Sequence, residues 1–451
     1  MMRKGMSGLL MLLLCMFLIP SEQLAAQSPD TCTKITDKKI RKIYDDGFDL
    51  FKKGNYGEAT IRMRNVLAQE PDFYEAYWIL GYINYKKKNS NFKEAEKNLL
   101  RLIELCPSYN IYAYLYLAEI KYGAEKYQEA VKFLNSFLAD VDKIKSDEDY
   151  NRAESLLKYS KFYLEMIDHP VPFDPKVVHG ISTPEDEYLP IISPDNLVAL
   201  FTREKKIPPA RDAILQTAAK MKERFMFSMR QANGQFSEGE EMPEPFNKND
   251  NEGGASLSID NNTLYYTVCK PDKNGTYNNC DIFYSEFVNG EWTPIRNAGT
   301  NINQPGSWES QPSISPDQKT LYFVSDRNGG YGGYDIYRSA KNADGEWGAP
   351  INLGPVINTT GNEKAPFIHP DGKTLYFSSD GQMGLGGYDI FYSRLAENGT
   401  WSKPVNIGYP INSPEDEAGF FVSTDGQTGY FTSNKFNGTG GYDLYSFPLY
   451  A

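Results

Sequence analysis

Asp371-Gly372-Lys373-Thr374-Leu375-Tyr376-Phe377-Ser378-Ser379-Asp380, followed after a Gly-rich turn by Gly387-Tyr388-Asp389-Ile390-Phe391-Tyr392-Ser393, decides the fold. Its apolar residues alternate with period two between turn formers, which describes antiparallel strands joined by tight loops. With Ala365 to Pro370 before it and Gly399-Thr400-Trp401 after it, the stretch makes one four-stranded unit. The unit recurs: its turn aspartate reappears as Asp195, Asp260, Asp317, Asp371 and Asp425, spaced by 65, 57, 54 and 54 residues. Third strands open at Asp281, Asp335, Asp389 and Asp443, and outer-strand aromatics stand at Phe236, Trp292, Trp347 and Trp401. The first unit departs from the pattern, with Arg224 in place of the aspartate, a third strand expected over Phe225 to Met229, and an insertion from Lys205 to Glu223 that suggests a short helix.

The fifth unit reaches the last residue without an outer strand. However, Phe173 to Gly180 followed by Pro184-Glu185-Asp186-Glu187 mirrors Trp401 to Gly408 followed by Pro414-Glu415-Asp416-Glu417. This symmetry predicts that the segment before the first unit supplies the missing strand, closing a five-bladed β-propeller over residues 171–451 and removing its exposed edges. The units resemble the WD40-like (PD40) repeats of the TolB-type propeller family, with blades three to five matching best.

Upstream, residues 38–170 carry a helical period that also repeats. Gly47 to Ala59 aligns with Gly81 to Ala95 and Ala118 to Ala130, sharing an opening small residue, an aromatic (Tyr56, Phe92, Tyr127) and a Glu-Ala pair. These units resemble the tetratricopeptide repeat, a helix-turn-helix of about 34 residues, and a helix over Asp147 to Met166 reads as the terminal cap that such arrays need. The fold class expected is therefore multidomain: a helical array, then an all-β propeller.

In the tetratricopeptide family the first helix of each unit lines a groove for a partner segment. The positions carried over are Tyr44, Phe48, Phe51, Trp78, Tyr82, Tyr85, Tyr112, Leu115 and Tyr122, eight of nine aromatic. The competing reading is that some of them pack between helices.

The chain opens with Met1-Met2-Arg3-Lys4, an apolar run from Leu9 to Ile19 and Leu24-Ala25-Ala26, which predicts a cleaved signal peptide over residues 1–26 and a linker over 27–37. The expected location is thus the periplasm, or association with the outer membrane, with no transmembrane span. In that oxidising compartment a Cys269–Cys280 disulfide is expected across a hairpin, and a Cys32–Cys106 bridge is the weaker expectation. A net charge of −12 without a basic run argues against nucleic acid, and three dispersed histidines argue against zinc or a His relay.

One more pattern is invariant. Eight residues before each turn aspartate stands Glu187, Glu252, Glu309, Glu363 or Glu417. Facing the axis, these would form a carboxylate ring able to hold a hard cation or a partner's Lys or Arg; repetition in every unit instead favours a structural acceptor of hydrogen bonds from the neighbouring blade's backbone. No cofactor is expected, with calcium as the alternative.

Exported proteins that join these two repeat classes resemble a Bacteroidetes envelope group that includes a type IX secretion and gliding-motility component. Those proteins usually end in an OmpA-like domain, which this sequence lacks, so peptidoglycan binding is not expected. The resemblance and the lack of a catalytic constellation imply a non-enzymatic scaffold for envelope proteins. The alternative is a glycan-binding or glycan-cleaving propeller with a Glu pair as acid and base.

Overall fold

The computed structural model describes residues 32, 36–87, 90–207, 220–249, 251–271, 278–436 and 438–449. The predicted signal peptide and the helix of the insertion (208–219) lie outside them. The chain divides into two compact units, Met1–Lys161 and Phe162–Ala451.

The first unit is a run of helix pairs: α1 (Lys38–Lys52) with α2 (Tyr56–Gln69), α3 (Tyr74–Lys86) with α4 (Phe92–Leu105), α5 (Tyr112–Gly123) with α6 (Tyr127–Leu138), then α7 (Asp147–Asp168). Asp37, Asn55 and Asn91 start three of these helices by accepting hydrogen bonds from first-turn N–H groups. Ala59, Ala95 and Ala130 of the Glu-Ala pairs are fully buried, as is Ala118. Small residues open each pair because the partner helix leaves no room. A Cβ on Gly47 would stand 2.7 Å from the Arg62 Cβ, and one on Gly81 would stand 2.6 Å from the Leu99 Cδ2. Gly81→Val is therefore expected to destabilise the helical unit by about 1–3 kcal/mol through overpacking. Gly57→Ala, where the added methyl meets nothing within 4 Å, should be neutral or stabilising by about 0.5–1 kcal/mol; urea unfolding followed by far-UV circular dichroism separates the two. Cys32 and Cys106 are joined as a disulfide, which ties the segment before α1 to the end of α4.

Past the end of α7 at Asp168, the described residues of the second unit are strands and loops, and the strands fall into five antiparallel groups, called sheets below, of which the first two are joined. The third and fourth are regular: Glu309–Ile314, Thr320–Ser325, Asp335–Ala340 and Ile351–Asn352, then Glu363–Ile368, Thr374–Ser379, Asp389–Arg394 and Val405–Asn406. The fifth comprises Ala418–Val422, Thr428–Ser433 and Asp443–Pro448, and its fourth strand is Lys176–Val177, paired Lys176↔Ser446 and Val177↔Tyr445. The first and last strands of the β unit thus share a sheet. Phe173 packs this seam against Phe431, Phe436 and Phe447.

The first sheet (Asp186–Ile192, Val198–Ile207, Lys220–Met229, Glu240–Glu241) and the second (Asn251–Leu257, Thr263–Pro271, Asn278–Val288, Arg296–Asn297) are linked by one parallel pair, Glu223↔Asn251. The third strand of the first sheet is longer than the sequence pattern suggested. It begins at Lys220 rather than Phe225 because the hairpin arms stay paired out to Ile207↔Lys220. Arg224, in place of the usual aspartate, donates to the carbonyls of Asn247 and Asn249. Cys269 and Cys280 face each other across the second sheet and are disulfide-bonded.

Apolar side chains fill the space between consecutive sheets. Leu200 and Phe225 meet Leu264 and Tyr266; Tyr265 and Ile282 meet Leu321 and Phe323; Tyr322 and Ile336 meet Leu375 and Phe377; Ile390 meets Phe420 and Phe431. A fifth core joins the last sheet to the first, through Phe421, Tyr430 and Leu444 against Ala199, Phe201 and Met226. The first strands likewise lie each against the next, and that of the fifth sheet lies against that of the first.

The turn aspartates earn their place locally. Asp195 accepts from the Ser193 hydroxyl and the Leu197 N–H, and the same contacts recur at Asp260, Asp317 and Asp425. The next residue takes a left-handed φ of 59–72° in all five turns (Asn196, Asn261, Gln318, Gly372, Gly426), which explains the Asn and Gly there.

Candidate functional site

The five glutamates are not an axial ring. Glu187, Glu252, Glu309, Glu363 and Glu417 are all buried, and each accepts from the loop that leads into its own strand. Glu363 takes the Thr359 N–H (2.8 Å), the Thr359 hydroxyl (2.7 Å) and the Ser379 hydroxyl (2.7 Å). Glu252 takes the N–H groups of Asn247 and Asn249, and Glu417 the N–H and hydroxyl of Ser413. In two sheets the carboxylate also meets an arginine: Glu187 meets Arg203 Nε at 2.7 Å, and Glu309 meets Arg327 Nη2 at 3.1 Å. Burial pushes Glu187 and Glu363 above the usual carboxylate range, and Glu417 up to about 7. A side chain so enclosed reaches neither a channel nor an external cation. The correction has a physical reason: the five loops need an internal acceptor, and the carboxylates supply it.

A companion feature recurs beside the glutamates. Asn303, Asn358 and Asn412 each bond both the N–H and the carbonyl of a third-strand residue (Ile282, Ile336 and Ile390) at 2.8–3.0 Å. Asn247 does so with Phe225, and Ser182 takes the same place opposite Leu444. The signal was present, as an apolar residue followed by Asn or Ser five or six positions before each Glu.

A bulge is repeated in all five first strands, and its residues line one narrow cleft. Leu189, Gly254, Gln311, Ala365 and Gly419 have φ of 49–67°, and the pairing register slips at each. Such bulges re-aim side chains and interrupt pairing. Pro190, Pro312 and Pro366, which follow three of them, were the readable sign.

On one side of this constriction opens a cavity of about 710 Å³. One wall carries three carboxylates in cross-strand succession, Asp186↔Glu204↔Glu223, with the Tyr188 hydroxyl donating to Glu223 at 2.6 Å. Burial, then the charges of Asp186 and Glu223, raises Glu204. Elsewhere on the lining, the Lys364 ammonium sits 4.9 Å from the ring centres of both Tyr334 and Tyr388, and burial pulls it below the ordinary lysine range. Among the described residues, no group of three His, Cys, Asp or Glu is placed to hold a metal ion.

The helical unit presents the second candidate surface. Of the nine groove positions, Tyr44, Tyr112 and Leu115 are buried and unavailable to a partner. Tyr44 packs on Phe73; the Tyr112 hydroxyl donates to Asp149 (2.9 Å) and accepts from the Lys145 N–H (2.8 Å), tying α5 to the start of α7. Phe48, Phe51, Trp78, Tyr82, Tyr85 and Tyr122 are half-buried. Five of the six join into one aromatic band through Phe48–Phe51, Phe51–Tyr82 and the Tyr116 ring, which lies within 4.4–6.0 Å of Trp78, Tyr82 and Tyr85. Tyr116, which is not among the nine groove positions, is the hub. Tyr85 also donates to Glu119, which pairs with Arg152 of α7.

No protein-family model and no curated protein matches this chain. Among solved structures, it is similar to a puromycin-hydrolyzing peptidase of Mycobacterium tuberculosis (TM-score 0.33, 14% identity, 56% of this chain and 36% of that one). The chain thus spans about a third of the peptidase's length. It is also similar to the TPR2B domain of yeast Sti1 in a complex with pHsp70 (TM-score 0.24, 16% identity, 28% of this chain and 99% of that one). A third is the type III secretion translocator chaperone SycD of Yersinia enterocolitica (TM-score 0.26, 16% identity, 30% and 90%).

Proposed function

We propose that this chain is a non-enzymatic scaffold that holds a protein partner on the aromatic band of its helical unit. We further propose that its five sheets form a five-bladed, WD40-like propeller, and that the protein works in the cell envelope, in secretion or assembly. The observation that carries the binding role is the half-exposed band over Phe48, Phe51, Trp78, Tyr82 and Tyr85. Rigid aromatics that are packed on one side and open on the other are enriched at the energetic centres of interfaces. The fifth apolar core and the sheet shared by the first and last strands of the β unit support a closed propeller. The leader sequence and the two disulfides support an exported setting.

Affinity capture with crosslinking from the native envelope tests the binding role. The Trp78→Ala/Tyr82→Ala double variant should lose its partner by more than tenfold in recovery, as hot-spot truncation costs at least about 2 kcal/mol, while keeping its helical circular dichroism. An unchanged partner set overturns the assignment.

A further inference from the structure

A structural role in the β unit recurs in every sheet, so a set of positions at which one sheet alone breaks the repeat calls for another explanation. In the second to fifth sheets the second strand carries a threonine and, two residues on, a tyrosine: Thr263 and Tyr265, Thr320 and Tyr322, Thr374 and Tyr376, Thr428 and Tyr430. The first sheet carries Val198 and Leu200 at these places, and opposite them on the third strand stand Met229 and Phe227. Four adjoining positions are thus all apolar in that sheet alone.

The exchange opens the wall between the first two sheets. Elsewhere the tyrosine is closed over by the outer tryptophan of the next sheet: ring centres lie 6.0 Å apart for Tyr265 and Trp347, and 6.2 Å apart for Tyr322 and Trp401. With leucine at position 200, Trp292 packs on Phe246 and Phe287 of its own side instead. A cavity of about 720 Å³ results, floored by the four apolar residues and walled by Leu257, Phe287 and Trp292. Met229 and Phe287 are left 47% and 40% exposed. Contiguous exposed apolar surface rimmed by polar residues marks a docking site, and the thioethers of Met229 and Met242 make this lining adaptable.

The rim has one sign of charge. Asp195, Glu244 and Glu291 belong to the lining, and no lysine or arginine does. Asp195 accepts from the Ser193 hydroxyl and the Asn261 amide, and Glu244 is met from outside by Lys248 at 3.5 Å; Glu291 is exposed. Residues 162–451 carry 22 Lys and Arg against 37 Asp and Glu, so the longer-range field also favours a cation.

We infer that this cavity docks a protein partner through a segment in which one large apolar side chain, aromatic or leucine-like, is flanked by Lys or Arg. The side chain fills the space that tyrosine and tryptophan close in other sheets, and the flanking cations meet the acidic rim. A fatty acid or an acidic segment would bring like charge to that rim. A glycan would set hydroxyls against Val198, Leu200 and Leu257, which offer no hydrogen bond. The volume lies within the span of small-ligand sites, about 300–1,000 Å³. The site is made by the β unit alone and does not depend on the aromatic band.

Calorimetric titration of the full chain at low ionic strength with short capped peptides tests the inference. The peptides carry a central Phe, Leu or Ala between paired lysines, or a central Phe between paired glutamates. The lysine-flanked Phe or Leu peptide is expected to bind with a dissociation constant of about 1 mM or tighter. An Ala centre should weaken it at least fivefold and glutamate flanks at least tenfold. Met229→Arg, which puts the fourth sheet's residue (Arg394) at an exposed position, should weaken it at least tenfold. Leu200→Tyr, which restores the residue of the other sheets, should do the same. The peptide series on the unaltered protein decides the matter where a variant fails to fold. The inference is overturned if no lysine-flanked peptide binds, or if the Ala centre or the glutamate flanks bind as well as the Phe peptide between lysines. Chitotetraose binding more tightly than every peptide would overturn it in favour of a glycan. Affinity kept in Met229→Arg but lost in Trp78→Ala/Tyr82→Ala would overturn it by placing the peptide on the helical unit.

Discussion

Glu309→Ala is expected to cost the β unit about 3–5 kcal/mol, the range seen when one partner of a buried ion pair is removed. Glu309 holds four donors at once: the Gln304 N–H (3.0 Å), the Ser307 hydroxyl (2.6 Å), the Ser325 hydroxyl (2.7 Å) and Arg327 Nη2 (3.1 Å). Alanine would leave the Arg327 guanidinium buried without its counter-charge. Its remaining contacts, with the Ile302 carbonyl, the Ser325 hydroxyl and the rings of Phe323 and Tyr337, do not replace a carboxylate. Urea unfolding read by tryptophan fluorescence reports this unit selectively in a Trp78→Phe background, because Trp292, Trp308, Trp347 and Trp401 all lie in it. Glu363→Ala breaks a comparable loop latch but strands no arginine, so it should cost less. Equal losses from the two variants would show that the charge pair at Glu309 adds nothing beyond hydrogen bonding.

The second large effect is on pH dependence. Burial, opposed by the Ser413 hydrogen bonds and reinforced by the nearby Asp389 charge, pushes Glu417 up to about 7, and burial pushes Asp389 up to about 6. A raised carboxyl keeps its proton in the folded state after the unfolded chain has released it. The folded form then binds more protons, so stability falls as pH rises. For Glu417 the contribution is fully present below its ordinary value of 4.5 and lost as pH climbs through about 7, worth about 3 kcal/mol at most. Asp389 acts in the same direction between 3.8 and about 6. The turn carboxylates Asp260, Asp317 and Asp425, held low chiefly by their serine hydrogen bonds, work oppositely and lose stability as pH falls below 3.8. The β unit should therefore be most stable at about pH 4 and weaker at pH 8. Glu417→Gln should flatten the slope between pH 5 and 8. A slope of the opposite sign, or one unaffected by this substitution, would refute the attribution.

How far such features could be read in advance depended on whether they repeat. The turn aspartates, the third-strand aspartates and the five glutamates were legible because they return at fixed offsets, and the strand Lys176–Val177 was placed with the last sheet by its likeness to Val405–Asn406. The role of the glutamates was harder. A carboxylate at a fixed position in a strand looks the same on paper whether it faces the axis or folds back under its own loop; only Thr359, Ser413 and Arg327 close at hand decide between the two. The bulge at Leu189, Gly254, Gln311, Ala365 and Gly419 escaped notice because its residue types differ in every sheet, while the backbone conformation is shared. In the helical unit, family positions named Tyr44, Tyr112 and Leu115 as groove residues, but the burial of the two tyrosines is set by neighbours such as Phe73, just before α3, and Phe137 of α6.

Local chemistry and periodicity in this sequence were enough to establish the order of its parts: three helix pairs, five strand repeats, their turns and the strand that joins both ends of the β unit. These depend on contacts within about fifty residues or on copies of one pattern, and both leave marks in a linear chain. The charged cavity was beyond such reading. Asp186, Glu204, Glu223 and Lys364 come together from strands up to 178 residues apart, and nothing in their immediate sequence distinguishes them from surface charges. Folding alone places the carboxylate row and the lysine on one cavity lining, because residues that never repeat can be brought into one site only by the packing of the sheets that carry them.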